Sequence, residues 1–247
     1  MDSVESMSWR SSTRWLRSVF RAFTCAALVA ATVIDPASAA DPTSEPLLRL
    51  DTGMHTAPIR RIAADRTGRW AATASDDKTA RVWEVASGRL QAVLRPPQDT
   101  GYEGRLDAVA MSPDGRVVAL AGWTSGTSDP ESIYLFDRAS ARLLRRIDGL
   151  PNVVLDLDFS PDGRWLAAGL FGKNGIRLFD AASGAERGRD AGYGDTSYSV
   201  HFGSDSRRLV STSYDGQLRT YAVNEDGSLR PLKAGALDGH TFFLRPL

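Results

Sequence analysis

The chain has 247 residues, of which 42% are hydrophobic and 24% charged, the balance of an ordinary globular protein. Thirty basic residues meet thirty acidic ones. With a formal net charge of +0, no field of one sign points to nucleic acid or to an anionic membrane.

The N-terminus stands apart from the rest. Arg10, Arg14, Arg17 and Arg21 precede an apolar run from Phe23 to Ile34, and Ala37-Ser38-Ala39 follows. A positive segment, about a dozen apolar residues and a small-residue site together predict a secretory signal peptide over residues 1–40. The run is shorter than a transmembrane helix needs. Cys25, the single cysteine, lies inside it. Cleavage would leave a near-neutral mature chain over 41–247 without disulfide, zinc-thiolate site or thiol nucleophile. The expected location is the periplasm or the exterior of a bacterial cell.

Beyond residue 50 the chain repeats a phrase. Asp65-Arg66-Thr67-Gly68-Arg69-Trp70 returns as Ser112-Pro113-Asp114-Gly115-Arg116-Val117, as Ser160-Pro161-Asp162-Gly163-Arg164-Trp165, and more loosely as Gly203-Ser204-Asp205-Ser206-Arg207-Arg208. The spacing of roughly 43 to 48 residues is that of stacked supersecondary units. An alternating apolar stretch precedes each phrase: Ile59 to Ala64, Leu106 to Met111, Val154 to Phe159, and Tyr198 to Phe202. A second follows it: Trp70 to Ala74, Val117 to Ala121, Trp165 to Leu170, and Leu209 to Ser213. A third comes after a short polar loop: Thr79 to Val85, Ser132 to Asp137, Gly175 to Asp180, and Gln217 to Val223. Turns such as Ala86-Ser87-Gly88-Arg89 open a weaker fourth. Period-2 runs of five to seven residues joined by hairpin turns predict four-stranded antiparallel units. No stretch after residue 40 carries a helical stripe, so the fold class is all-β. The units are expected at about 51–97, 98–148, 149–190 and 191–237, with the start of a further one at 238–247.

These units resemble the WD-repeat β-propeller family. The segment Thr73-Ala74-Ser75-Asp76-Asp77-Lys78-Thr79-Ala80-Arg81-Val82-Trp83-Glu84 is similar to the strand-turn-strand signature of that family, and His55 stands upstream where the family has Gly-His. The resemblance covers residues 47–240. It implies that His55, Ser75, Asp77 and Trp83 form a hydrogen-bonded structural tetrad locking the first blade. In later units Phe136, Phe179 and Tyr221 stand at the Trp position, and Asp215 alone keeps the turn aspartate. The Pro-Asp-repeat propeller shares the Ser-Pro-Asp-Gly-Arg turn, but Trp83 and the Asp-Asp-Lys-Thr turn favour the WD-repeat reading. The resemblance also implies a ring usually closed by seven blades, so four blades predict an incomplete or open propeller. Leu47-Leu48-Arg49-Leu50 reads as an outer strand with no final blade to receive it. Asp238-Gly239-His240 begins a unit that Phe242, Phe243 and Leu244 do not complete. A truncated reading frame, a small ring, or a ring completed between chains would each account for this, and open end blades predict self-association.

Catalytic signatures are scarce. His55, His201 and His240 lack metal-ligand spacing, so no metal and no cofactor is expected. Gly122-Trp123-Thr124-Ser125-Gly126 is not a nucleophile elbow. Gly188, Gly192 and Gly194 lack the strand-loop-helix setting of a dinucleotide site. Asp156 and Asp158 share one strand face and could line a polar channel near His201. The resemblance places on one rim an extended loop from Trp123 to Glu131 and the aromatics Tyr102, Phe171, Tyr193, Tyr198 and Tyr214. Exposed aromatics on rigidly held loops suit recognition. The expected function is therefore a non-catalytic protein-interaction scaffold with an unidentified protein partner. The alternatives are an enzyme or small-ligand propeller using the channel, and a sensor carrying a separate effector domain.

Overall fold

The computed structural model describes residues 53–125 and 130–236. The expected signal segment over 1–40, Cys25, Leu47–Leu50, the centre of the loop after Trp123, and everything from residue 237 onward lie outside the described residues. The described part contains sixteen strands and no helix. They form four antiparallel sheets, each of four strands in sequence order. The first sheet holds β1 (Ile59–Ala64), β2 (Trp70–Ser75), β3 (Ala80–Glu84) and β4 (Arg89–Leu94). The second holds β5 (Arg105–Met111), β6 (Val117–Trp123), β7 (Glu131–Asp137) and β8 (Leu143–Leu150). The third holds β9 (Val154–Phe159), β10 (Trp165–Leu170), β11 (Ile176–Asp180) and β12 (Glu186–Asp190). The fourth holds β13 (Ser197–Phe202), β14 (Arg208–Ser213), β15 (Gln217–Val223) and β16 (Leu229–Ala236). This is the all-β, four-unit architecture expected from the repeat, with each fourth strand fully paired. No ladder joins the first sheet to the fourth among the described residues.

The repeated phrase makes the first hairpin turn of each sheet. Ser112 Oγ donates to Asp114 Oδ1 at 2.5 Å and accepts from Val117 N at 2.9 Å, while Arg116 N donates to Asp114 Oδ1 at 3.0 Å. Ser160 and Asp162 repeat all three bonds. Serine and aspartate two residues apart thus satisfy the turn's own backbone, which is why the pair recurs. The glycine of the phrase sits at φ 68° in Gly115 and 75° in Gly163, a region closed to most side chains. The looser fourth copy places Ser206 there instead, at φ 58°.

The two faces of each sheet differ in kind. Toward the following sheet the second strand is small after its first residue: Ala72 and Ala74 follow Trp70, Ala119 and Ala121 follow Val117, and Ala167 follows Trp165. Toward the preceding sheet the side chains are bulky: Leu120, Tyr134 and Phe136, then Leu166, Leu170 and Phe179, then Leu209 and Tyr221. Bulk seats on alanine at each of the three junctions, burying Phe136, Phe179 and Tyr221. The register explains this recurrence. Trp83 pairs with Ala71, Phe136 with Val118, Phe179 with Leu166, and Tyr221 with Leu209. All four aromatics occupy one position, yet Trp83 is only half-buried because its face of the first sheet looks away from the second.

Truncating Phe179 to alanine should cost about 3–5 kcal/mol, as aromatic deletions in packed cores do. Trp83→Ala should cost distinctly less in the same urea titration. An equal loss at Trp83 would show that the outer face of the first sheet is covered in solution.

Candidate functional site

In the first sheet, His55, Asp77 and Trp83 join one hydrogen-bonded chain. His55 Nδ1 lies 2.9 Å from Asp77 Oδ2 and His55 Nε2 lies 2.8 Å from Thr73 Oγ1. Trp83 Nε1 donates to the same Thr73 hydroxyl at 2.9 Å. The carboxylate requires a proton on Nδ1, so Nε2 accepts from Thr73. Thr73, not Ser75, is therefore the hydroxyl member. Ser75 lies two residues on and bonds the Ala57 carbonyl at 3.1 Å and the Asp77 amide at 3.1 Å. Both hydroxyls point to one face of β2, and sequence spacing alone does not choose between them. Burial pushes the Asp77 carboxyl up. Hydrogen bonds from Thr79, the Thr56 amide and His55 outweigh that and hold it below the usual carboxylate range.

The fourth sheet rebuilds this network with other residues. Tyr193 was expected on the exposed rim, but it is only 4% exposed. Its hydroxyl bonds the Ser211 hydroxyl and lies 3.0 Å from the Tyr221 hydroxyl, which donates to Asp190 Oδ2 at 2.8 Å. Tyr193 stands four residues before β13, as His55 stands four before β1, and Ser211 holds the register of Thr73. The turn aspartate matches too. The Gly194 amide donates to Asp215 Oδ2 at 2.9 Å and Arg219 Nη2 donates at 2.7 Å, much as Thr56 N serves Asp77. Burial opposes ionisation of Asp215, but Arg219, Ser213 and the two amides hold it well below the usual range. A tyrosine in place of the motif histidine hid this network from sequence inspection. Leu120 and Ala168 occupy the hydroxyl position in the middle sheets, where the side chain packs in the apolar core instead.

Of the remaining rim aromatics Tyr198 is half-buried and the other four are open to solvent. Tyr102 is 65% exposed, Trp123 38%, Phe171 46% and Tyr214 46%. They fall at the ends of second strands or just before first strands, on one rim. Tyr102 and Trp123 pair with ring centroids 5.8 Å apart, and the Arg105 guanidinium lies 5.0 Å over Tyr102. Tyr198 and Tyr214 pair at 5.3 Å, with Arg61 4.8 Å over Tyr198. Arg105 and Arg60 also grip Asp76, at 2.9 Å and 2.6 Å, tying the first sheet to the second at this rim.

The channel carboxylates are spent on the backbone. Asp156 Oδ2 accepts from Val200 N at 3.0 Å and from Ser199 Oγ at 3.0 Å; Asp158 Oδ2 accepts from Phe202 N at 2.7 Å. Both therefore fasten β9 to the inner edge of β13, an edge whose amides would otherwise lack ladder partners. His201 Nε2 lies 3.0 Å from Ser199 Oγ. With that hydroxyl already donated to Asp156, the geometry is a bracing relay rather than an activated nucleophile. Among the described residues no group of three or more His, Cys, Asp or Glu is arranged to hold a metal ion.

The WD domain, G-beta repeat, family profile matches residues 47–84 and 142–180. Two stretches of the chain are thus similar to the WD repeat. The second match begins near the start of β8 and ends with β11, so the WD unit is staggered by one strand against the sheets. Similar proteins include the WD repeat-containing protein SL1-17 of Schistosoma mansoni, 29% identical over 71% of this chain and 54% of that protein. The small ribosomal subunit protein RACK1y of Oryza sativa is 29% identical over 43% of this chain and 28% of its own length. The ribosome biogenesis protein ERB1 of Candida glabrata is 38% identical over 27% of this chain and 8% of its own length. The chain thus spans about half the length of the first of these relatives and less of the other two. All three are eukaryotic.

Two measurements test the hydrogen-bonded network of the first sheet. Thr73→Val removes the shared hydroxyl and should cost about 1–3 kcal/mol by leaving His55 and Trp83 short of a partner; urea unfolding reads it. Asp77 contributes its full stabilisation above the unfolded carboxylate pKa of about 3.9, and loses it as pH falls through its lower folded value. Asp77→Asn should therefore lose less stability than the parent on acidification below about pH 4.

Proposed function

We propose that this chain is a non-catalytic protein-interaction scaffold, exported from the cell that makes it and acting in the periplasm or outside. The observation that carries the interaction role is the rim, where two aromatic pairs, exposed except for the half-buried Tyr198, are each braced by an arginine on an all-β frame. Such aromatics bury large area at low entropic cost and act as anchors in interfaces. WD-repeat relatives named for the ribosomal subunit and for ribosome biogenesis fit a role in assemblies. Export rests on the pattern of residues 10–39 alone.

Trp123→Ala combined with Tyr214→Ala should weaken capture of partner proteins by about tenfold or more while leaving the melting temperature unchanged. Capture that survives both substitutions would move the interface elsewhere. Exported protein should begin at Ala40 or Asp41 on N-terminal sequencing; Met1 retained in a soluble periplasmic fraction would overturn the export reading.

A further inference from the structure

The four innermost strands, β1, β5, β9 and β13, surround a cavity of about 750 Å3 lined by Ile59–Ala64, Val109–Met111, Asp156–Asp158, Tyr198, Ser199 and His201. That volume lies in the range of small-molecule sites. Blade packing does not account for everything in it. The register pairs Arg61 with Ala74, Ala108 with Ala121, Asp156 with Gly169 and Ser199 with Thr212, so Arg61 holds the position that Ala108 holds in the next unit. An alanine suffices there, yet the first unit extends a guanidinium across the cavity toward the third and fourth sheets.

That guanidinium is loosely held. It stacks 4.8 Å over the Tyr198 ring, and its polar contacts are Nη1 to Tyr198 Oη at 3.4 Å, Nη2 to the Tyr198 carbonyl at 3.4 Å and Nε to Asp156 Oδ1 at 3.5 Å. All three lie at the outer edge of hydrogen-bond distance. Elsewhere arginines close on carboxylates properly: Arg60 on Asp76 at 2.6 Å, Arg219 on Asp215 at 2.7 Å, Arg177 on Glu186 at 3.0 Å. Arg61 thus keeps donor capacity directed at the cavity, in a planar fork that matches a carboxylate.

The charges set the ligand's valence. Arg61 and His201 face Asp156 and Asp158, a set that balances when the imidazole is protonated. Burial pulls His201 down, but the two carboxylates outweigh it and hold the ring above its usual value. Burial pushes the Asp156 carboxyl up, against the pull of Arg61 and His201, and the carboxylates on this wall repel a doubly charged anion more than a singly charged one. Ile62, 61% exposed, and Leu157 supply apolar walls.

We propose that this cavity binds a small organic monocarboxylate, its carboxylate paired with Arg61 and hydrogen-bonded by the Tyr198 hydroxyl, its apolar body against Ile62 and Leu157. This site shares Arg61 and Tyr198 with the Tyr198–Tyr214 pair of the rim, and small-ligand binding at it is tested apart from the scaffold reading.

Isothermal titration of the purified chain tests it with four probes: benzoate, benzyl alcohol, benzylamine and inorganic phosphate. Benzoate should bind saturably at one site, with the other three at least about tenfold weaker, a difference of about 1.4 kcal/mol. Arg61→Met should abolish benzoate binding and Tyr198→Phe should weaken it several-fold, with circular dichroism reporting the fold of each variant. If Arg61→Met fails to fold, Ile62→Trp fills the cavity from β1 and should abolish binding instead. Benzoate no tighter than benzyl alcohol, or benzoate binding that persists in a folded Arg61→Met or Ile62→Trp protein, would overturn the proposal.

Discussion

Everything in this fold depends on the fit between the alanine face of one sheet and the bulky face of the next. A four-stranded antiparallel sheet is marginal alone and must bury a face to persist. Here the second strands bring Ala72, Ala119 and Ala167 close to their neighbours, which leaves room for Phe136, Phe179 and Tyr221. Dense packing of this kind tolerates little change in volume. It makes each sheet's position a consequence of the one before it, so the loops at one rim are presented on a rigid base.

Polar groups are added to this packing at one position of the second strand. The first sheet carries the hydrogen-bonded network of Thr73 on the face that meets no described sheet, and the fourth carries that of Ser211 on the face it packs against the third. The two middle sheets, packed on both faces, have Leu120 and Ala168 at that position. A hydroxyl bridging an aromatic and a loop residue fixes the loop entering the first strand, and a fully satisfied network adds rigidity. Asp156 and Asp158 do a related job at the inner edge, where strand amides have no ladder.

The same logic separates bracing from recognition. Tyr193 and Tyr214 are both tyrosines in loops of the fourth unit, but one hydroxyl is locked under its loop while the other ring faces solvent. Arg60 and Arg61 are neighbours on β1, but one closes a short ion pair at the rim and the other reaches loosely into the cavity. Adjacent residues on a strand project to opposite faces, so neighbours in sequence serve different environments.

By itself, the sequence determined the number of units, the first three strands of each and the turn that joins the first two. These follow from local rules, namely period-2 alternation and a Ser-Pro-Asp-Gly turn that satisfies its own backbone. The resemblance of the Thr73–Glu84 segment and His55 to the WD-repeat signature implied that His55, Asp77 and Trp83 belong together. Only the tertiary structure decided that Thr73 rather than Ser75 completes that network, that Tyr193 is its counterpart in the fourth sheet, and that Arg61 crosses the cavity to Tyr198. Each of those choices depends on a distance across strands or between sheets up to 137 residues apart in the chain, which local periodicity does not encode.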